Sequence, residues 1–251
     1  MATLSDTIDH LRRFKQIVGR SPEAAWVARG IEHSVPNPKI HWLEIGCADG
    51  RNLSEVTRGL SATKQLTGSA YDPALDRDRL IEQPGFTYFA ERIEDAALTG
   101  SFDVIHARHS LYYVAEVANV LRNLRSRLNP GGAFIITHWS ADCVLSRLNK
   151  MIALAQGIPA APSMSDLTKV VCARGLSVAA TLEHRSPLPA TVLSDPQSLE
   201  TIFEMSARNS PVPFSVAQQR DELEKLIMSP KRLYRASKTV FIQRRPTPEQ
   251  L

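Results

Sequence analysis

Short apolar segments alternate with helical segments from Lys39 to Trp139, and this alternation constrains the possible folds more than any other feature. The strand-like segments are KIHWLEIG, LTGSAYD, FTYFAE, FDVIHAR and AFIITHW, and the helical segments between them include RNLSEVTRGL and AEVANVLRNLRSRLNPGG, the latter ended by Asn129-Pro130-Gly131. Strands that are buried on both faces of a parallel sheet have this nearly continuous apolar character. The alternation therefore predicts a doubly wound α/β sheet with right-handed crossovers. Its ligand should bind at the carboxyl ends of the strands, beside the first strand.

The regions on either side of this core are predicted to contain more helix. Residues 1–39 contain two helical patterns, the second beginning at Ser21 as N-cap with Pro22 at the first helical position. After the core we expect helices near 141–156 and 165–174, a strand LSVAATLEH, two helices near 196–228 and a final strand SKTVFIQRR. The expected organisation is an N-terminal helical cap (1–39), a cofactor-binding core (40–139), the C-terminal half of the same domain with substrate-side helices and the last two strands (140–245), and a tail (246–251).

Composition and charge exclude several classes of partner. The chain has 251 residues, of which 43% are hydrophobic and 22% are charged, as in ordinary globular domains. Its net charge of +4 comes from scattered lysines and arginines, so we expect no nucleic-acid partner. No apolar run reaches the length of about eighteen residues that a membrane helix needs, and no signal peptide is recognisable, so we expect a cytoplasmic protein. Three distant cysteines predict neither a metal site nor disulfides.

The turn in LEIGCADGRN indicates what the sheet binds. Gly46 and Gly50 flank Ala48, a spacing that matches neither the dinucleotide fingerprint nor a P-loop. Asp72 ends the second strand, where a carboxylate can accept hydrogen bonds from both hydroxyls of a ribose. Glu44 just before the turn suits a ligand without phosphate, since a pyrophosphate favours a helix N-terminus free of carboxylates. We therefore expect the turn to hold an adenosine.

These motifs, together with SFDVI and NPGG, resemble those of the class I S-adenosylmethionine-dependent methyltransferases across about 40–139. The resemblance implies a Rossmann-like, seven-stranded sheet whose last strand is antiparallel. It also implies that the turn lies under the methionine end and ribose of S-adenosyl-L-methionine and that Asp72 binds the ribose. Glu91, the acid that ends the third strand, and the next residue, Arg92, are implied to frame the adenine. The expected cofactor-binding residues are Glu44, Gly46, Cys47, Gly50, Asp72, Pro73, Glu91, Arg92 and Arg108.

The flanks, with the run HSLYYV, are distantly similar to histamine N-methyltransferase and related small-molecule methyltransferases. That resemblance implies that Glu23 helps to hold an amine and that His109 stands where the family has glutamine. His109 also follows the fourth strand, at the edge of the sheet where ligands bind. One of two adjacent tyrosines should line the pocket with its hydroxyl, and we assign this role to Tyr113. The expected catalytic residues are thus Glu23, His109 and Tyr113, and no metal is expected.

The function expected from the sequence is methyl transfer to a small-molecule acceptor at an amine nitrogen. A small-molecule O-methyltransferase of secondary metabolism is one alternative, and a non-catalytic subunit that binds the cofactor is another. Several residues also have purely structural interpretations: Glu23 as a first-turn acid that suits the helix dipole, and His106, His138 and Trp42 as core residues. Trp26 is a candidate to close over the acceptor.

Overall fold

A computed structural model describes residues 13, 22–75, 77–172, 176–188, 195, 197–198, 201–202 and 234–244. Apart from residue 13, the first predicted helix lies outside the described residues. So do the predicted tail and most of the two helices expected near 196–228.

Five α-helices and seven strands are described. The helices are α1 (Glu23–Ser34), α2 (Arg51–Arg58), α3 (Val117–Ser126), α4 (Val144–Gln156) and α5 (Met164–Val171). The strands are β1 (Lys39–Ile45), β2 (Gln65–Tyr71), β3 (Phe86–Phe89), β4 (Phe102–Arg108), β5 (Leu128–Trp139), β6 (Leu176–Pro187) and β7 (Tyr234–Arg244). Two short 3₁₀ helices cover Arg77–Arg79 and Leu111–Tyr113.

The seven strands form one sheet in the order β3-β2-β1-β4-β5-β7-β6, with the last strand of the chain antiparallel to the others. Strands β1 to β5 pair in parallel, and Ile45 of β1 pairs with both Tyr71 of β2 and Ala107 of β4. The carboxyl ends of β2, β1 and β4 therefore lie level with one another. The α/β architecture predicted from the sequence is confirmed.

Alternate residues of β1 point into two different cores. Trp42 packs in one cluster with α1 and α2, through residues such as Val27 and Leu53. Leu43 packs in the other cluster with α3 and α5, through residues such as Leu121 and Leu167. Helices thus cover both faces of the sheet, which is why its strands are apolar throughout. Trp42 is fully buried, and its predicted core position is confirmed.

Two predicted boundaries are wrong. The N-cap of α1 is Pro22 and not Ser21, so this helix begins one residue later than expected. The sequence NPGG was expected to end the helix before β5, but α3 already ends at Ser126 and these residues form the beginning of β5. Leu128 pairs with Phe102 of β4, and the register then shifts before Val104 pairs with Ala133. A proline is acceptable at the beginning of a strand, where fewer ladder hydrogen bonds are lost.

Two compact units divide the chain. The first comprises Pro22–His138, Met164–Leu182 and the chain from Lys238 onward, and it includes α1–α3, α5 and β1–β4. The second comprises the first 21 residues, Trp139–Ser163 and Glu183–Ser237, and its described part includes α4. All the site residues expected from the sequence belong to the first unit. The domain boundaries expected from the sequence stay a prediction. Of the helices that the structure describes, none is long and apolar enough to cross a membrane.

Candidate active site

The turn after β1 is shaped by three residues with positive φ: Gly46 at 80°, Ala48 at 49° and Gly50 at 72°. A Cβ on Gly46 would lie 2.3 Å from the Cβ of Ser110, which follows β4. The Ser110 hydroxyl donates to the Ile45 carbonyl at 2.7 Å, and the Gly46 N–H donates to the Tyr71 carbonyl at 2.8 Å. Glycine is therefore required here both for the backbone angle and for the close approach of β4.

The segment after β2 contacts the far end of this turn. A Cβ on Gly50 would lie 2.4 Å from the Ile81 carbonyl oxygen, and the Ile81 N–H donates to the Asp49 carbonyl at 2.9 Å. Gly50 is also the N-cap of α2 in the left-handed conformation. Packing within the protein thus accounts for both glycines of the turn.

Asp72 at the end of β2 joins this turn to the next loop. Its Oδ2 accepts from the Ala48 N–H at 2.7 Å, and its Oδ1 accepts from the Ala74 N–H at 2.8 Å. The residue is only 9% exposed, and burial raises the pKa of its carboxyl group while the two backbone hydrogen bonds oppose that rise. Each carboxylate oxygen retains a second lone pair for a ligand hydroxyl.

Glu44 is buried beneath the turn and is bound through one of its two oxygens. Oε2 accepts from the Trp42 indole N–H at 3.0 Å and lies 2.8 Å from His106 Nδ1. Oε1 has no hydrogen-bond partner among the described residues, although Glu44 is 1% exposed. His106 was expected to be a buried core residue, and its burial is confirmed. A buried carboxylate oxygen without a donor is costly, which favours a donor from outside the chain.

Three carboxylates surround this turn, and of these Asp49 has a cation nearby, with Arg51 Nε 3.7 Å from its Oδ2. Burial raises the pKa of the Cys47 thiol, and the negative charges of Asp72, Glu44 and Asp49 raise it further. A ligand with a sulfonium and an ammonium group fits a site that contains three carboxylates, whereas a pyrophosphate would be repelled. The residues present therefore fit S-adenosylmethionine.

The remaining expected cofactor residues lie at the ends of neighbouring strands. Pro73 is exposed after β2, and Glu91 and Arg92 are exposed shortly after β3. Beside them the Tyr71 ring stacks on Phe89, with 4.6 Å between ring centroids. Burial raises the pKa of the Tyr71 hydroxyl, and the charge of Glu91 adds to the rise.

Glu23, Arg108 and His109 come together at the carboxyl end of β4. Glu23 lies in the first turn of α1 and is fully buried. Its Oε2 accepts a hydrogen bond from Arg108 Nε at 2.8 Å and lies 2.6 Å from Arg108 Nη2. Its Oε1 lies 3.4 Å from His109 Nε2. A fully buried carboxylate is stable only with such partners, and Glu23 therefore does more than occupy a favourable position in the helix dipole, because it forms a buried ion pair with Arg108.

His109 itself is held in a sparsely populated conformation. Its φ is 51°, and its backbone N–H donates to the Thr137 carbonyl of β5 at 2.9 Å. Positive φ at a residue other than glycine costs of order 1–3 kcal/mol and is concentrated at functional sites. The sequence contained no signal for this strain.

A group of aromatic rings lies next to His109. The Tyr112 ring is 6.4 Å from the His109 ring, 4.7 Å from the His138 ring and 5.1 Å from the Tyr113 ring, between centroids. His138 is buried at the end of β5, as predicted, but its contact with Tyr112 was not anticipated. Tyr113 and Trp26 are both partly exposed.

Comparison with known proteins identifies the family. Residues 22–181 match the methyltransferase domain family. The chain belongs to this family. Together with the fold, this makes it a class I S-adenosylmethionine-dependent methyltransferase.

Several curated relatives and solved structures are similar to parts of this methyltransferase. It is 29% identical over 122 residues to equisetin synthetase eqxS of Fusarium heterosporum and to the hybrid PKS-NRPS synthetase fsa1 of Fusarium sp. (strain FN080326). Each match covers 43% of this chain, which spans only 3% of the length of either relative. A structure described as a methyltransferase from Bacillus halodurans C-125 shares its fold, with 15% identity, a TM-score of 0.58 and coverage of 88% of this chain and 99% of that one. YjhP of E. coli does so with 15% identity, a TM-score of 0.54 and coverage of 90% and 94%.

Proposed function

We propose that this methyltransferase transfers the methyl group of S-adenosyl-L-methionine to an amine nitrogen of a small molecule. The observation that carries the proposal is the pairing of the buried Glu23 carboxylate with His109, at the carboxyl end of β4 and next to the turn. Such a pair can accept the proton that the acceptor must lose. Active sites of doubly wound sheets lie at this edge, near the switch point beside β1.

The turn and the neighbouring strand ends are proposed to bind the cofactor. Glu44 and Asp72 contribute negative charge to the turn, and this charge adds to the effect of burial in raising the pKa of the Cys47 thiol. The cofactor, when bound, supplies a methyl group on sulfur: the S–C bond breaks with its electrons staying on sulfur while the acceptor lone pair forms the new bond. The proposed binding residues are Glu44, Gly46, Cys47, Gly50, Asp72, Pro73, Glu91, Arg92 and Arg108.

The proposed task of His109 is to remove a proton, because an ammonium ion has no lone pair with which to attack. Glu23 Oε1 lies 3.4 Å from His109 Nε2, so the carboxylate can stabilise the charge that His109 gains when it accepts the proton. The strained backbone of His109 fixes where that ring lies. The Tyr113 hydroxyl is proposed to orient the acceptor. Positioning is otherwise the main contribution of the protein, since the donor is already activated.

Methylation of a hydroxyl oxygen is the second candidate, and Arg108 favours it. The guanidinium compensates the charge of Glu23, so Glu23 has less net charge with which to attract a cationic acceptor. A neutral hydroxyl needs no such attraction and would use the same base. The relatives are named as synthetases, and this supports an acceptor from small-molecule biosynthesis whether the methylated atom is nitrogen or oxygen.

Two measurements test the proposal. The first is calorimetric binding of S-adenosylhomocysteine, the reaction product, which should bind to the wild-type protein. The second is transfer of labelled methyl to matched amines and alcohols, as a function of pH. The substitution His109→Gln should lower turnover about tenfold to a hundredfold and remove the limb of the pH profile due to the base.

A histidine remote from the site provides the control. His41 lies in β1, and its Nδ1 is 2.9 Å from the carbonyl of Ser101. The substitution His41→Gln should leave turnover and its pH profile unchanged. If His109→Gln behaves in the same way, His109 is not the base. If the wild-type protein does not bind S-adenosylhomocysteine, the cofactor assignment is wrong.

A further inference from the structure

Arg108 uses only part of its hydrogen-bonding capacity within the described chain. A guanidinium has five N–H donors. Nε donates to Oε2 of Glu23 and Nη2 lies 2.6 Å from the same oxygen, whereas Nη1 contacts no acceptor among the described residues. The Arg108 side chain is 16% exposed, whereas Glu23 is completely buried. One edge of the guanidinium is therefore fixed by the protein, and the Nη1 edge is available to a ligand.

The position of Arg108 indicates where such a ligand would lie. Ala107 pairs with Ile45 across β4 and β1, so Arg108 is level with Gly46, the first residue of the turn. His109, the proposed base, is the next residue in the chain. A group bound to the second edge of Arg108 would thus lie beside the expected methionine end of the cofactor and also beside the proton acceptor.

We infer that Arg108 binds a ligand carboxylate through its Nη1 edge while its Nε edge holds Glu23. The inference rests on the proposed function, because it concerns a ligand of that same site. Planar guanidinium and carboxylate groups form two parallel hydrogen bonds, and a lysine cannot reproduce this geometry. Because Glu23 already balances the charge of Arg108, the ligand should carry a cation as well, and the negative turn residues Glu44 and Asp72 are suited to it.

Two ligands of this site could supply a carboxylate accompanied by a cation. One is the methionine end of the cofactor, and the other is an acceptor that resembles an amino acid. The chemistry that Arg108 recognises is the same in both cases, so the experiment has one arm for each source. Both arms use Arg108→Lys, which retains a positive charge for Glu23 but lacks the second edge.

The cofactor arm measures calorimetric affinity for S-adenosylhomocysteine and for its decarboxylated analogue. If the cofactor supplies the carboxylate, removal of that group should weaken binding to the wild-type protein about tenfold to a hundredfold. Arg108→Lys should weaken binding of S-adenosylhomocysteine by a similar factor and leave the decarboxylated analogue unaffected. The comparison of the two ligands on the wild-type protein tests this arm even if the variant fails to fold.

The acceptor arm measures methyl transfer to pairs of amines that differ by one carboxylate. If the acceptor supplies the carboxylate, the wild-type protein should prefer the carboxylated member of a pair. Arg108→Lys should then raise KM for that member at least tenfold, with kcat retained and no change for its partner. Arg127→Lys is the matched control, since Arg127 contacts Asn123 and Gly100 next to the amino end of β5 and should leave all these values unchanged.

The results separate this inference from the proposed function. If the carboxylate of neither ligand affects binding or KM in the wild-type protein, Arg108 does not have this role, even though the protein binds cofactor and transfers methyl groups. The same conclusion follows if Arg108→Lys matches the wild type in both arms. If S-adenosylhomocysteine does not bind with or without its carboxylate, the proposed function itself fails.

Discussion

The contact between Glu23 and Arg108 should be measurable as a coupling energy in a double-mutant cycle. Glu23→Gln leaves Arg108 with some access to water, so we expect a loss of about 1–2 kcal/mol in the free energy of unfolding. Arg108→Met leaves a fully buried carboxylate without its cation, for which the expected loss is about 3 kcal/mol or more. The double variant removes both charges and should cost no more than Arg108→Met alone. The coupling energy should then be about 2 kcal/mol, since a charge-assisted hydrogen bond of 2.8 Å and an ion-pair contact of 2.6 Å join the two side chains.

Urea unfolding followed by circular dichroism at neutral pH is the appropriate assay. The neutral pair Thr137 and Thr239 is a suitable comparison, because their hydroxyls lie 3.0 Å apart and both are buried. The cycle of Thr137→Val and Thr239→Val should give a coupling energy of about 1 kcal/mol or less. If the effects of Glu23→Gln and Arg108→Met add to within about 0.5 kcal/mol, the buried ion pair does not exist as described.

Three further predictions concern the turn, the second strand and the N-terminal region. In urea unfolding, Gly46→Ala should lower the free energy of unfolding more than Gly131→Ala does. Both glycines have positive φ, but only at Gly46 would the new Cβ collide with Ser110. Equal losses of free energy in the two variants would contradict this prediction. Burial raises the pKa of Asp72, so its ionisation opposes folding above the folded-state pKa and this cost vanishes as the pH falls below 3.8. The free energy of unfolding of Asp72→Asn, relative to that of the wild type, should therefore be higher at pH 7 than at pH 3, and the opposite pH trend would refute the argument. Calorimetry should also show that the variant binds the cofactor more weakly. Deleting residues 1–20 should lower acceptor affinity and turnover far more than cofactor affinity, whereas equal losses would indicate a structural role.

The fold could be predicted because the signals that determine it are local. Five apolar segments separated by helical patterns specify a parallel sheet, and all five appear as strands β1 to β5. The end of α3 was mispredicted for the same reason. The turn signal of Asn129-Pro130-Gly131 is strong within its own stretch of sequence, but the pairing of Leu128 with Phe102 decides where β5 begins. A contact between distant residues cannot be read from a local motif.

The candidate site shows the same limit. The sequence indicated that Gly46, Asp72, Glu23 and His109 belong together at one edge of the sheet, since each is near a strand end or the helix before β1. It could not indicate that Glu23 pairs with Arg108, 85 positions away, because many arginines were available as partners. Nor could it show that Ser110 is what requires a glycine at position 46.

The distribution of charge within the site differs from that of the whole chain. The protein has a net charge of +4, yet the turn after β1 is surrounded by Glu44, Asp49 and Asp72. At the end of β4, by contrast, Arg108 balances Glu23. A cationic group is therefore stabilised electrostatically at the turn. The stabilisation is smaller at the end of β4, where the proposed base lies, because Arg108 compensates the charge of Glu23 there. We therefore expect the enzyme to select acceptors mainly by hydrogen bonds to groups such as Arg108 and by contacts with the rings around Tyr112. Turnover should then differ more between acceptors that differ in those contacts than between acceptors that differ only in net charge.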